Sequence, residues 1–283
     1  VGITVYFGKR KGSATTSDAL PDALEKTLDA ACYIASVSGE DPFSGLAEKS
    51  FLAYDYPNLS LCHPWEIDVK KGIELARQCE SYALSQNHRI KSSEGAYLST
   101  HQGLSVYANT QGFLGEVEGT NHSISCHLLA ESQQGMQRDY DYSVARDPND
   151  LESVEKIAKQ AVYRTLRRDN PRRVKTCQVP ILFDATVASS LFGSFISAIS
   201  GSSQYKKSSF LLDTLGKTIF PDFVHIYERP HLPKGLGSAP FDADGIKTID
   251  RDLIVDGILQ SYLLSAYSAR KLGMSPTGHG GGV

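Results

Sequence analysis

Hydrophobic positions along the chain follow two periods. At the start the period is two. Ile3, Val5 and Phe7 alternate with polar neighbours, break at residues 9–12 and resume to residue 16, which predicts a hairpin. Leu20, Leu24, Leu28, Ala31 and Ala35 then share one helical stripe across residues 18–38, ended by Gly39. Residues 41–65 are rich in Pro, Ser, Tyr and Asp and predict an irregular excursion. Val69, Ile73, Ala76 and Ala83 restore helical spacing over residues 69–84. From residue 90 to 146 the period returns to two. Strands are predicted at residues 96–100, 104–109, 113–118, 122–131 and 137–146, with breaks at Gln102-Gly103, Gln111-Gly112, Gly119-Thr120 and Gln134-Gly135. Such closely spaced strands imply an antiparallel meander, with helices 18–38 and 69–84 packed against it. Asn149 with Glu152 three residues on predicts a capping box for a helix running to about Arg168.

The polar run DNPRRVK, residues 169–175, breaks that helix at Pro171 and suggests a boundary between an N-terminal domain, 1–170, and a C-terminal domain, 171–283. Beyond it an apolar strand at residues 179–183 feeds an Asp and a helix. Val187, Leu191, Ser194, Phe195, Ala198 and Ile199 share one face of that helix. Its other face is small: Ser189, Ser190, Gly193, Ser197 and Ser200, with Gly201 as a stop signal. Residues 222–228 predict a short strand, and residues 246–255 and 258–264 flank Asp256-Gly257, a strong hairpin signal. Residues 266–272 predict a helical turn. The expected class is α+β in two domains: an N-terminal antiparallel sheet with helices on one face, and a C-terminal mixed α+β domain rich in β-hairpins.

Composition narrows the function classes. The chain has 283 residues, 41% hydrophobic and 22% charged, enough for one or two domains with a sizeable core. A net charge of -3 offers no general attraction to nucleic acid or to an anionic membrane, and no apolar run is long enough to span a bilayer. Cys32, Cys62, Cys79, Cys126 and Cys177 are odd in number and in no close sequence pair. That pattern points to reduced core thiols in a cytoplasmic protein rather than to a disulfide or zinc framework.

No catalytic constellation emerges from spacing. There is no His-Glu dipeptide, so no zinc-protease helix of that kind. His122 and His127, five apart on a strand, point to opposite faces, and Pro230 separates His225 from His231. Gly216-Lys217-Thr218 lacks the earlier glycine of a phosphate loop, because Leu211 stands there. Ser268 and Lys271 fit Ser-x-x-Lys, but the partner motifs are missing, and a solvated helix end accounts for the spacing. Cys126 sits on an apolar strand face and reads as structural. The basic run Arg164, Arg167, Arg168, Arg172 and Arg173 reads as a helix end plus linker. Asp242, Asp244, Asp250, Asp252 and Asp256 follow no EF-hand spacing and suit turns.

Two stretches carry a resemblance. SEGAYLSTHQGLSVYANTQGF, from Ser93, resembles the N-domain of the TldD/PmbA family, also called the modulator-of-DNA-gyrase family. GSSQYKKSSFLLDTLGKTIFPDFVHIYERPHLPKGLGSAPFDADGIKTIDRDLIVDGILQSYLLSAYSARKLG, from Gly201 to Gly273, is similar to the PmbA/TldE-type members of that family. The resemblance implies one subunit of a cytosolic heterodimeric zinc metalloprotease acting on small or unfolded peptides, with a TldD-like catalytic subunit as partner. It also implies further chain at both ends, and its name reflects a genetic link to gyrase rather than a DNA-binding fold. In TldD-type chains a helix carries His-Glu-x-x-x-His and a later Cys completes the metal site. By context that motif falls near Phe192, Gly193 and Ser197, where this chain has no His or Glu. The resemblance therefore implies a vacated active-site helix, no catalytic residue and no metal in this chain, and zinc in a TldD-type partner. Three alternatives stay open: a metallopeptidase in its own right, a homodimer of the isolated chain, and a non-proteolytic regulator binding gyrase or another protein.

Overall fold

The computed structural model describes residues 1–132, 135–169 and 171–281, with the backbone alone at Ser132. Gln134 of the expected Gln134-Gly135 break, Asn170 of the expected boundary and the last two residues of the Gly-rich end lie outside them.

β1 (Gly2–Phe7) and β2 (Arg10–Thr15) form the first hairpin, turning at Gly8 with φ of 61°. α1 (Pro21–Val37) follows. The expectation that α1 packs on the main sheet is corrected: it lies on β1 and β2. The cause is a close approach. A Cβ on Gly12 would sit 2.1 Å from the Ala31 carbonyl oxygen and 2.3 Å from the Ala35 nitrogen. Glycine lets strand and helix backbones touch, so α1 buries Ala31 and Ala35 and leaves Leu20 and Leu28 exposed.

The main sheet is β3 (Ile90–Ala108), β4 (Leu114–Ser132) and β5 (Gly135–Ala145), antiparallel in the order β3-β4-β5. Two expected breaks are absent. Gly103 and Gly119 pair directly opposite one another, and both strands run through them. A Cβ on Gly119 would lie 2.9 Å from Arg146 Nη1, so this glycine makes room for a guanidinium rather than turning the chain. Gln111-Gly112 does turn, with Gly112 at φ of 89°.

α2 (Val69–Gln86) and α3 (Val154–Arg167) cover the inner face of this sheet. Asp68 caps α2 through the Lys71 amide. Ser153, not Asn149, caps α3, because Asp147 and residues 148–150 form a short 3-10 turn first. The core between the layers holds Cys79 and Ala83 of α2, Ile124, Cys126 and Leu128 of β4, and Ile157, Ala158 and Ala161 of α3. The alternation that predicted β4 is the alternation seen: Ile124, Cys126, Leu128 and Ala130 are buried, while Ser123, Ser125 and His127 are not.

The C-terminal region contains α4 (Ala185–Ile199), α5 (Gly201–Tyr205), β6 (Ile226–Glu228), β7 (Arg251–Val255), β8 (Ile258–Leu259) and α6 (Ala266–Leu272). β7 and β8 turn at Asp256 and Gly257, both left-handed. The strand expected at 222–228 is shorter, and the one expected at residues 179–183 does not form. The strand expected from residue 246 begins later, at Arg251; ahead of it Ile246 bridges to Leu52 and Lys247 bridges to Phe241.

Polar clamps join the two regions. Arg146 donates to the carbonyls of Gly235 at 3.0 Å and Leu236 at 2.8 Å. Lys234 reaches Asp147 at 2.7 Å and Asp150 at 3.0 Å. Arg270 of α6 donates to the carbonyls of Phe43, Gly45 and Leu46, so the irregular excursion is stitched to the last helix.

Candidate functional site

α4 is the only long helix of the C-terminal region among the described residues, and it carries no charged side chain. Asp184 starts it, accepting the Thr186 amide at 3.0 Å and hydroxyl at 2.7 Å. Its last turn is the anchor: Phe195, Ala198 and Ile199 are buried, and Phe195 and Ile199 pack in one core with Leu253, Leu259, Leu263 and Ala269. Its first turns stand away from that core, with Val187, Leu191 and Phe192 about half exposed.

Gly201 does not stop the helix by a left-handed cap. Ser200 ends α4, and Gly201 opens α5 while its amide donates to the Leu263 carbonyl at 2.8 Å. A Cβ on Gly201 would meet Ser268 Oγ at 2.2 Å and Ser268 Cβ at 2.5 Å. Only glycine lets α5 and α6 come this close.

Between α4, α5, α6 and the Gly-rich end lies a cavity of about 440 Å³. Gly193, Ser197, Ser200, Tyr205, Ser265 and His279 are on its wall. A second hollow of about 440 Å³ flanks the other side of α4, again touching Gly193 and Ser197. The structure thus brings two of the three positions on the expected vacated helix to both cavities and leaves Phe192 outside them.

His279 is 8% exposed, and spacing alone provided no reason to single it out. Its Nε2 meets Glu228 Oε1 at 2.8 Å and its Nδ1 meets Thr277 Oγ1 at 2.9 Å. The other Glu228 oxygen receives Arg251 at 3.1 Å. Both ring nitrogens are therefore engaged away from the cavity. A lone His in a Gly-rich run was the available signal, but its partner Glu228 lies 51 positions away.

The donor set does not suit zinc. Hydroxyls and a doubly bonded imidazole replace the thiolates, free imidazoles and carboxylates that zinc takes. Among the described residues no group of three or more His, Cys, Asp and Glu side chains is placed to hold a metal. Nor is a nucleophile activated. Ser268 is buried and forms a reciprocal cap with Ser265, while Lys271 lies over the Phe43 ring and 3.8 Å from Asp41. Tyr267, on the same wall, donates to Asp41 at 2.6 Å, and that bond pushes its pKa up to about 12. What the cavity offers is neutral hydrogen-bonding groups, suited to binding amides.

The remaining candidates sit elsewhere. His122 is buried between Thr100 and the His63 carbonyl, and His127 stacks on Tyr140 across the opposite sheet face. His225 pairs with Asp256 and His231 with Thr248. Cys126 does have a close neighbour, contrary to the spacing. It packs in one core with Cys79, and that neighbouring thiol together with burial holds its own thiol well above the ordinary range. Such a thiol is not a nucleophile. Arg164, Arg167 and Arg168 pair with Asp141, Asp184 and Asp139. Asp242 accepts the amides of Asp244, Ile246 and Gly280, and burial raises its pKa. No helix among the described residues is long and apolar enough to cross a membrane.

Comparison with known proteins agrees along the whole chain. Residues 62–169 match the model of the PmbA/TldA metallopeptidase central domain, and residues 176–282 match its C-terminal domain. Metalloprotease PmbA of Escherichia coli O157:H7 is 46% identical over 283 residues, all of this chain and 63% of that protein. A PmbA homolog of Haemophilus influenzae is 42% identical over the same span of the chain, again 63% of its own length. The chain thus spans about 63% of the length of these relatives. A solved chain from Bacteroides thetaiotaomicron, named for the modulators of DNA gyrase, superimposes with a TM-score of 0.92 at 28% identity, covering 99% of this chain and 64% of that one. TldE of Thermococcus kodakarensis shares the fold, with a TM-score of 0.76 at 19% identity over 96% of this chain and 61% of that one. With both family domains matched in order and the fold reproduced in solved members, the chain belongs to the PmbA/TldD metallopeptidase family.

Proposed function

We propose that this chain is a PmbA/TldE-type subunit of a heterodimeric TldD/PmbA metalloprotease acting on small or unfolded peptides in the cytoplasm. It supplies cavity wall and pairing surface, and a TldD-like partner supplies zinc and the activated water. One observation carries the reading. α4 reaches its cavities with Gly193 and Ser197, small and uncharged, where the family resemblance puts metal ligands. The hydroxyl lining supports it, because such groups can hold a peptide backbone without cleaving it. The half-exposed Val187, Leu191 and Phe192, and Leu182 at 97% exposure, support a surface that a partner covers.

The test mixes this chain, extended to the length of its relatives, with a TldD-type chain and follows co-elution and cleavage of an unfolded peptide. The reading expects pairing, zinc only in the partner, and cleavage only in the mixture. Chelator-sensitive cleavage by the isolated chain would favour a metallopeptidase in its own right. Recovery of gyrase or another regulator without a TldD-type chain would favour the non-proteolytic reading.

A further inference from the structure

β5 has an open edge. It pairs with β4 on one side, and no described strand pairs with the other. The strand is 11 residues long, contains no proline and carries tyrosines at alternate positions, the composition that invites edge-to-edge association. The opposite edge of the sheet is managed differently. β3 is broken by register shifts between Ile90 and Ser92 and between Ser93 and Gly95. Such bulges twist an edge away from a second strand. β5 pairs with β4 in unbroken register from Ala145 to Gly135 and has no such device.

It has carboxylates instead. The Tyr140 amide donates to Asp139 Oδ1 at 2.9 Å, and Asp141 stands in the same relation to the Tyr142 amide two residues on. The two amides are two residues apart, so they face the same side of the strand. The Tyr140 amide takes the side chain before it as acceptor, and strand alternation puts the Tyr142 amide on that same open edge. The carboxylates are themselves fixed. Arg168 Nε lies 2.5 Å from Asp139 Oδ2, and Arg164 Nη1 lies 3.2 Å from Asp141 Oδ1. The two arginines are four apart at the end of α3, on one helix face.

We propose that Asp139 and Asp141, held by Arg168 and Arg164, guard the β5 edge against pairing with the β5 edge of a second copy of this chain. A carbonyl of an incoming strand meets a carboxylate oxygen where it needs an amide hydrogen. The cleft of about 1030 Å³ beside this edge leaves room for a strand, so steric cover alone does not protect it.

The test compares the parent with Asp139→Ala, with Asp139→Ala/Asp141→Ala, and with that double variant carrying Tyr142→Pro. Circular dichroism establishes that each is folded. Amide exchange and sedimentation velocity across a concentration series are the readouts. In Asp139→Ala the Tyr140 amide should exchange about tenfold faster or more, because its acceptor is gone. The double variant should associate with rising concentration. Tyr142→Pro should abolish that association, since its ring takes an edge position without removing a bond to β4. If loss of Asp141 unfolds the double variant, the Tyr140 exchange rate in Asp139→Ala decides alone. Parent-like exchange at Tyr140 in folded Asp139→Ala overturns the proposal. So does a folded double variant that associates no more than the parent. A double variant that stays unassociated yet captures an added extended peptide overturns the choice of a second copy as the strand kept out.

Discussion

Two hollows of the molecule are lined by opposite chemistries. The cleft along β5 is a seam of charge, in which Asp139, Asp141 and Asp184 each face an arginine at the end of α3. The cavity beside α4 is less than half as large and is lined by hydroxyls, with no Asp, Glu, Lys or Arg on its wall among the described residues. Size alone would direct attention to the first. Yet its charges are satisfied in pairs, which is how a fold holds a helix on a strand, whereas the second lies along a helix empty of charge. On the function proposed above, the uncharged hollow is the one that belongs to the site.

The comparison can be broken most forcefully at the uncharged cavity. Gly201→Ala puts a methyl 2.2 Å from Ser268 Oγ and 2.5 Å from Ser268 Cβ, and α5 cannot retreat without losing the bond from Gly201 to Leu263. A loss of about 3 kcal/mol in unfolding free energy is expected, read from the denaturant midpoint. A change below about 0.5 kcal/mol would mean that this junction is loose.

At the charged cleft, Arg164→Ala should cost about 2 kcal/mol at neutral pH by leaving Asp141, a buried carboxylate, without its cation. Burial already raises the Asp141 pKa, and Arg164 opposes that rise. Removing Arg164 lifts it further. A raised folded-state pKa means stability that is present at low pH and lost as pH rises through that value. The deficit should therefore shrink on acidification, as urea melts across a pH series will record.

Returning to α4, Gly193→Trp and Ser197→Phe should weaken pairing or peptide entry by about 1.5 kcal/mol, roughly tenfold in the pairing constant. Titration with a TldD-type chain measures this, and Ser197→Ala should be nearly silent in the same assay. If the bulky variants pair and support cleavage like the parent, α4 is neither interface nor cavity wall.

The smallest effect concerns the clamp between the regions. Lys234 and the Asn149 amide hold the Asp147 pKa at about 2, below the ordinary 3.8. A depressed carboxyl pKa gives stability that is present above 3.8 and lost as pH falls toward 2. Asp147→Asn should flatten the acid limb of the stability curve over that window. An unchanged slope would show that the clamp contributes nothing measurable.

Much of this fold was legible wherever neighbours in sequence decide the structure. The span of α2, the alternation of β4 and the Asp256-Gly257 turn depend on residues a few positions apart, and all are present, although Val69 and Ile73 of the expected α2 stripe are exposed and Cys79 and Ala83 are its buried residues. What was not legible depends on distant partners. Gly119 reads as a break until Arg146 is seen lying against it. α1 reads as a helix for the main sheet until Gly12 brings β2 against Ala31 and Ala35. At the cavity, Gly193 and Ser197 were singled out by family resemblance, not by periodicity, since small residues announce no chemistry. His279 and Glu228 meet only because the Gly-rich end folds back over β6.

The central claim is that α4 frames a cavity without performing hydrolysis. Elemental analysis of the purified chain, joined to a peptide-cleavage assay with and without a TldD-type partner, tests it most directly. The account predicts no stoichiometric zinc in this chain, no cleavage by it alone, and chelator-sensitive cleavage once the partner is added. One zinc per chain together with chelator-sensitive cleavage in the partner's absence would contradict it.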